Sequence, residues 1–206
     1  LGGMPFVPLR LHTVPPHKVH LKRMFDIIVI VLSAPIWLPA MALIGLWVRV
    51  RAGGPVLYRQ ARVGRDGATF KCIKFRTMIA DAEEDGRARL ASLDDDRIVP
   101  ALAWMRKMRA DELPQLFNIL KGEMSLVGPR PERPELVAEI TRRVPGYVRR
   151  NELPPGLTGL AQVHGRYDTD AEYKLGYDLQ YLVNWSLVID VQILFRTVWV
   201  VLSRRV

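Results

Sequence analysis

Two adjacent carboxylates, Asp111 and Glu112, lie in the run Arg106-Lys-Met-Arg-Ala-Asp-Glu-Leu-Pro-Gln115-Leu-Phe-Asn118-Ile-Leu-Lys-Gly122, with Gly128-Pro-Arg130-Pro131 close behind. Arg106, Arg109 and Arg130 therefore surround the pair in sequence, which suits a site that receives phosphate. A plainer reading stands beside it. Leu113, Leu116, Phe117 and Leu120 recur at helical spacing and Gly122 can end the helix. Asp111 is then expected near the N-cap and Glu112 in the first turn, where Pro114 is also tolerated. Acidic residues are favoured there for helix stability alone, and the same helix end attracts anions. The rest of the chain decides between a cap and a phosphate site.

The chain has 206 residues, enough for one domain with a proper core and an appendage. Thirty basic against twenty-one acidic residues give a net charge of +9. Such a balance favours a polyanionic partner: nucleic acid, an anionic membrane surface or a phosphorylated substrate. One cysteine, Cys72, allows no intrachain disulfide and too few thiols for a cysteine-based zinc site. Four histidines, three of them within the first 20 residues, form no metal pattern. Residues 1–20, rich in Pro, Gly and His, read as a linker or arm and not as a signal peptide. The Leu-Gly-Gly start raises the expectation of a longer parent chain.

The elements that must position the pair begin with an apolar run. After Lys22-Arg23-Met-Phe-Asp26 come 22 uncharged residues, Ile27 to Val48. That length suffices to cross a bilayer as a helix. Pro35 and Pro39 interrupt its interior, and basic residues flank both ends: Lys22 and Arg23 before it, Arg49 and Arg51 after it. Prolines bend helices, and Lys and Arg favour the cytoplasmic side. A break near Ala34-Pro35 gives arms of about 12 and 20 Å, deep enough for one leaflet. Ser33 is placed to bond carbonyls freed by Pro35. Residues alone leave a re-entrant hairpin and a kinked span almost equally supported.

Val56–Val63 and Ala68–Phe75 flank Gly64-Arg-Asp-Gly67, a β-hairpin pattern. Six cations, Arg59, Arg62, Arg65, Lys71, Lys74 and Arg76, meet a single Asp66 there. Lys74 and Arg76 share a strand face and are placed to grip adjacent phosphates. The arginines near the turn are equally well explained by anionic lipid headgroups. Residues 78–92 read as a charged surface helix. Asp94-Asp95-Asp96 offers a Mg²⁺ site for a nucleotide diphosphate, although such clusters are more often solvated loops or caps. Residues 97–109, with Trp104 and Met105 among cations, suit a lipid interface. Pro134–Arg143 reads as a short helix, and 144–166 as a long irregular stretch. Thr169-x-x-Glu172 reads as a capping box, and Ser186 as the cap of an apolar last helix, Leu187–Leu202. Asp190, Gln192 and Arg196 make that last helix interfacial or core rather than spanning.

With these residues in view, the chain from about Lys22 onward resembles the bacterial sugar transferases, the monotopic polyprenyl-phosphate phosphoglycosyltransferases. The motifs that carry the resemblance are Lys22-Arg-x-Phe-Asp26, Tyr58-Arg-Gln-x-Arg62-Val-Gly64, Lys74-Phe-Arg-Thr-Met78, Asp111-Glu-Leu-Pro-Gln115, Gly128-Pro-Arg-Pro131 and Pro155-Gly-x-Thr-Gly159-x-Ala-Gln162. Each is weak alone, and their joint order is specific. The chain departs from the pattern where Ala34 separates Ser33 from Pro35.

The resemblance implies an α+β, mainly helical fold: a re-entrant helix-break-helix over 21–50, then a catalytic domain over 51–206 with a small β-hairpin and amphipathic interfacial helices. It implies transfer of a sugar-1-phosphate from a UDP-sugar to undecaprenyl phosphate, with release of UMP, through a covalent aspartyl-phosphosugar, as the first step of a lipid-linked glycan such as an exopolysaccharide. Asp111 is then the nucleophile, Glu112 its partner, and the two hold Mg²⁺. Lys74, Arg76, Arg106 and Arg130 are assigned to phosphate, with Gln115, Asn118 and Pro131 in support. Lys22, Arg23, Asp26, Ser33 and Pro35 belong to the membrane hairpin. The expected place is the cytoplasmic face of a bacterial inner membrane, amid anionic lipids, with a homo-oligomer left open. Two other classes remain: a metal-dependent glycosyltransferase using Asp94–Asp96, and a non-catalytic basic membrane-binding protein. Nucleic acid is disfavoured, because the basic patch carries no recognised binding motif and follows an apolar run.

Overall fold

A computed structural model describes residues 15–79, 95–165 and 170–203. The helix expected over 78–92 lies almost wholly outside the described residues, as do Asp94 and Thr169.

Helix α1 (Pro16–Ala52) runs for 37 residues and includes Pro35 and Pro39. It is long and apolar enough to cross a membrane. The expected break at Ala34-Pro35 does not divide it into two elements. Ser33 does not bond the Val31 carbonyl, the one that Pro35 deprives of its helical donor. Its hydroxyl donates instead to the carbonyls of Val29 (2.6 Å) and Ile30 (3.3 Å). The Trp37 indole N–H reaches the same Ile30 carbonyl at 2.9 Å. Residues seven apart lie about 10.5 Å apart along a straight helix. The Trp37 side chain and the Ile30 carbonyl together span that interval, across the turn in which Pro35 interrupts the ladder.

Both ends of α1 are tied into one body. At the first end Lys22 Nζ donates to Asp190 (2.7 Å) and to the Tyr181 hydroxyl (3.0 Å). Arg23 donates to the carbonyls of Ile119 and Leu120. Asp26 accepts from the Ser125 hydroxyl (2.7 Å) and the Leu126 amide (3.2 Å). At the other end Val48 packs with Phe75, Leu102 and Met105, and Arg76 donates to the carbonyls of Ala52 and Gly53. Between the ends Leu32, Ile36, Leu43 and Leu46 are exposed. Lys22, Arg23 and Asp26, expected as charges beside a membrane, thus act as internal fastenings. Lys22, Asp26 and Asp190 are all buried. A buried charge persists only where it is paired and hydrogen-bonded.

Strands β1 (Leu57–Val63) and β2 (Thr69–Phe75) pair antiparallel, with Val63 opposite Thr69 and Leu57 opposite Phe75. The hairpin is where the sequence puts it. Ile73 and Phe75 are buried on one face, and on the other Cys72 is buried in the main core beside Lys74. Helices α2 (Ala103–Lys107) and α3 (Gln115–Lys121) follow, then β3 (Ser125–Val127). Helix α4 (Pro134–Arg143) matches its expected bounds. The stretch expected to be irregular holds a 3-10 turn at Tyr147–Glu152, strand β4 (Gly156–Thr158) and helix α5 (Leu160–His164). Strand β4 lies parallel to β3. There a Cβ on Gly156 would lie 2.1 Å from the Gly128 amide nitrogen, so the two segments approach as only glycine permits.

Helix α6 (Ala171–Asn184) has Asp170 at its N-cap, without a side-chain cap bond. Helix α7 (Leu187–Leu202) is capped by Ser186, whose hydroxyl accepts from the Ile189 amide. Tyr181, Trp185 and Ile193 from this pair join Ile30, Ile119, Leu126 and Leu153 in the main core. Val188, Phe195, Val198 and Trp199 remain exposed along α7. An interfacial helix presents such a stripe.

Candidate active site

The chain reverses at Arg109, whose φ of 52° is left-handed. A 3-10 turn follows over Ala110–Glu112, and Pro114 stands at the N-cap of α3. Asp111 therefore does not cap α3, contrary to the helical spacing. Pro114 has no N–H for a continuous ladder. The amides of Leu113, Leu116 and Phe117 close separate short turns on Ala110, Leu113 and Pro114. Side chains, not a helix end, set the electrostatics of the carboxylate pair.

Glu112 is buried, and its Oε1 accepts from Lys74 Nζ at 2.8 Å and from Arg130 Nη2 at 3.1 Å. Burial alone raises the pKa of such a carboxyl. The charges of Lys74, Arg130 and Arg109 outweigh it and hold Glu112 well below the usual carboxylate range. Asp111 is tuned the other way. Burial, then the charge of Glu112, push it up to about 6 against the pull of Lys74 and Arg106. Among the described residues no side chain hydrogen-bonds to or ion-pairs with Asp111; its own backbone N–H is its hydrogen-bond partner. One carboxylate is clamped and the next is available, ionised at neutral pH yet more basic than an ordinary aspartate.

A shallow depression beside Glu112 is lined by Arg62, Cys72, Lys74, Gln115, Arg130 and Pro131. Its three cations, Arg62, Lys74 and Arg130, suit it to the phosphate part of a ligand. Lys74, Arg130, Gln115 and Pro131 therefore assemble around Glu112. Arg106, half-buried on α2, is close enough for its charge to act on Asp111. Two other candidates lie elsewhere. Asn118 is fully buried and locks α3 to the hairpin: Oδ1 accepts from the Ile73 amide (3.0 Å), and Nδ2 donates to Lys71 O (2.9 Å) and Glu123 (2.6 Å). Arg76 holds the end of α1, because β2 stops at Phe75 and the last carbonyls of a helix lack donors.

Sequence reasoning passed over Arg150. Its buried guanidinium donates to Asp178 (2.8 Å), to the Tyr147 hydroxyl (2.5 Å) and to the backbone carbonyl of Arg130 (3.0 Å). Arg150 thereby fixes the backbone from which Arg130 reaches Glu112. Asp178 lies 28 residues away in sequence, and no motif links the two. Burial raises Asp178 to about 6 despite Arg150.

Of the Asp94–Asp96 cluster, Asp95 is taken up by Arg97, whose Nη2 and Nε lie 2.6 and 2.8 Å away. Arg97 holds the Asp95 carboxyl well below its ordinary range. Among the described residues no group of three or more His, Cys, Asp and Glu could hold a metal. A Mg²⁺ ion at Asp111 and Glu112 would therefore have to draw its other ligands from a substrate's phosphates and water.

The sequence profile described as bacterial sugar transferase matches residues 17–204. The chain is 39% identical over 191 residues to the UDP-N-acetylgalactosamine-undecaprenyl-phosphate N-acetylgalactosaminephosphotransferase of Aeromonas hydrophila, covering 91% of this chain and 45% of that protein. It is 42% identical over 199 residues to the undecaprenyl-phosphate galactose phosphotransferase of Salmonella typhimurium, covering 89% and 41%. It is 37% identical over 207 residues to the exopolysaccharide production protein ExoY of Rhizobium meliloti, covering 94% and 90%. The chain thus spans about half the length of the first two relatives and nearly all of ExoY.

Proposed function

The chain belongs to the bacterial sugar transferase family, and from that membership and the carboxylate pair we propose that it transfers a sugar-1-phosphate from a UDP-sugar to undecaprenyl phosphate. The observation that carries the reading is the division of labour at Asp111-Glu112. Glu112 is held by Lys74 and Arg130, while Asp111 has no side-chain bond among the described residues and is made more basic by its surroundings.

An oxygen of Asp111 attacks the β-phosphorus of the donor. The bond from that phosphorus to the bridging oxygen breaks, the electron pair stays with the oxygen, and UMP leaves. The sugar phosphate is held as an acyl-phosphate on Asp111. A phosphate oxygen of undecaprenyl phosphate then attacks the same phosphorus, Asp111 departs as carboxylate, and undecaprenyl diphosphate-sugar forms. Lys74, Arg106 and Arg130 draw in the anionic donor and stabilise charge on the transferring group. Glu112 holds Lys74 and Arg130 in place until phosphate oxygens share them. Asp111 and Glu112 are the residues that would hold Mg²⁺, which would neutralise diphosphate charge when bound.

The acceptor is a lipid, so the site belongs at a membrane surface. Two features support placement on one face: both ends of α1 tied to one body, and the apolar stripe of α7. We place the protein on the cytoplasmic face with α1 re-entering the membrane. The products distinguish this chemistry from direct glycosyl transfer. Purified protein given UDP-glucose or UDP-N-acetylgalactosamine, each with undecaprenyl phosphate, releases UMP with at least one donor. Release of UDP instead would replace this reading with a metal-dependent glycosyltransferase.

A further inference from the structure

Three cations, Arg62, Lys74 and Arg130, line the depression against one carboxylate, Glu112. Lys74 and Arg130 are spoken for by Glu112; Arg62 is not. Its Nη1 donates to the Pro131 carbonyl (3.0 Å), its Nη2 donates to Gln60 Oε1 (2.5 Å), and Glu132 lies 3.7 Å from Nη1. Gln60 in turn donates to the Tyr58 hydroxyl (3.2 Å). Strand and turn therefore fix the guanidinium plane from two sides. Its Nε is buried with no acceptor, and a buried donor without a partner is costly.

Lys74 and Arg130 reach Glu112, next to the nucleophile, whereas Arg62 is held by Pro131 and Gln60. Arg62 is thus the cation of this pocket set off from the carboxylate pair. Burial, and then the like charge of Arg130, lower its pKa, as expected where two guanidinium groups share a pocket that an anion would neutralise.

We propose that Arg62 is a phosphate ligand of this pocket and holds the phosphate that stays with the nucleoside. The assignment rests on the donor chemistry proposed above. With the reacting phosphate drawn to Lys74 and Arg130 beside the pair, Arg62 is the remaining cation of the pocket for the other phosphate of the diphosphate. When the bond from the β-phosphorus to the bridging oxygen breaks, the electron pair becomes charge on UMP. Arg62 stabilises that charge with a charge-assisted bond.

The test is UMP binding by calorimetry to the purified chain, to Arg62→Gln, to Arg62→Lys and to Glu132→Gln. Loss of a charge-assisted hydrogen bond weakens UMP about tenfold or more in Arg62→Gln. Arg62→Lys, which keeps charge and loses the fork, falls between it and the parent. Glu132→Gln removes the acidic partner but not the guanidinium, so it binds UMP at least as tightly as the parent. Equal UMP affinity in Arg62→Gln and the parent would overturn the proposal. So would equal weakening in Arg62→Gln and Glu132→Gln, since that marks a merely structural ion pair, and so would failure of the parent to bind UMP. The donor reading has its own readout, the sugar-phosphate adduct on Asp111. If no adduct forms while UMP binding still depends on Arg62, the covalent route fails and the phosphate site stands.

Discussion

At Glu112 two cations meet one carboxylate oxygen, and at Asp111, one residue earlier, no side chain among the described residues does. Attack needs Asp111 ionised, and its pKa is raised to about 6. Adduct formation is therefore level above pH 6 and falls as pH drops through that value. Glu112→Gln removes a neighbouring negative charge and releases Lys74 and Arg130, and both changes favour the ionised form of Asp111. The acid limb then moves to lower pH, while the plateau drops by about a hundredfold or more because the cations lose their anchor. Single-turnover adduct formation across pH checks both parts; an unmoved limb would contradict the assigned cause. The grouping of Lys74 and Arg130 with the pair was legible from residue type and motif. Arg76 was not, because strand alternation put it beside Lys74 and could not register that β2 ends at Phe75. The unpaired carbonyls at the end of α1 offered that guanidinium a better place.

Among the elements, short local ones followed their signals. The hairpin came from its turn residues, α4 from its spacing and α7 from its cap. What escaped was anything set by a distant partner. The β3–β4 pair joins segments about thirty residues apart by parallel pairing. Arg150 meets Asp178 across the fold, and no local pattern encodes either. The turn at Arg109–Glu112 also replaced the expected cap, since helical spacing from Leu113 says nothing of where the ladder starts. The Arg150–Asp178 pair gives an element-level prediction. Arg150→Gln leaves Asp178 buried without its cation and costs about 3–5 kcal/mol in denaturant unfolding. The double change Arg150→Met with Asp178→Leu restores most of that stability, because an apolar pair can replace a buried ion pair. It does not restore activity, since the Arg130 carbonyl has lost its donor. Full activity in the double variant would show that Arg150 serves stability alone. Lys22→Met, which strands Asp190 in the core, is expected to cost a similar amount, read as a lowered unfolding midpoint in detergent.

For the molecule as a whole, α1 decides where the chemistry takes place. Its apolar middle was plain in the sequence, but whether its ends lie together depends on Lys22, Arg23 and Asp26 at one end and Val48 and Arg76 at the other. Those fastenings are tertiary, and the residues alone left two topologies open. With Cys72→Ser as background, Lys18→Cys and Pro55→Cys are expected to label from the cytoplasmic side and from no other, using a membrane-impermeant thiol reagent on oriented vesicles. Labelling of either position from the opposite side would restore a spanning helix. A site on one membrane face can receive a soluble nucleotide sugar and a lipid phosphate in turn, and a covalent relay lets the two arrive separately. Intact-mass measurement of the protein after exposure to a UDP-sugar alone, without lipid, tests that relay most directly. The account predicts a mass increase of one sugar phosphate, absent in Asp111→Asn and discharged on adding undecaprenyl phosphate. UMP release with no mass increase, or an adduct that persists in Asp111→Asn, would contradict it.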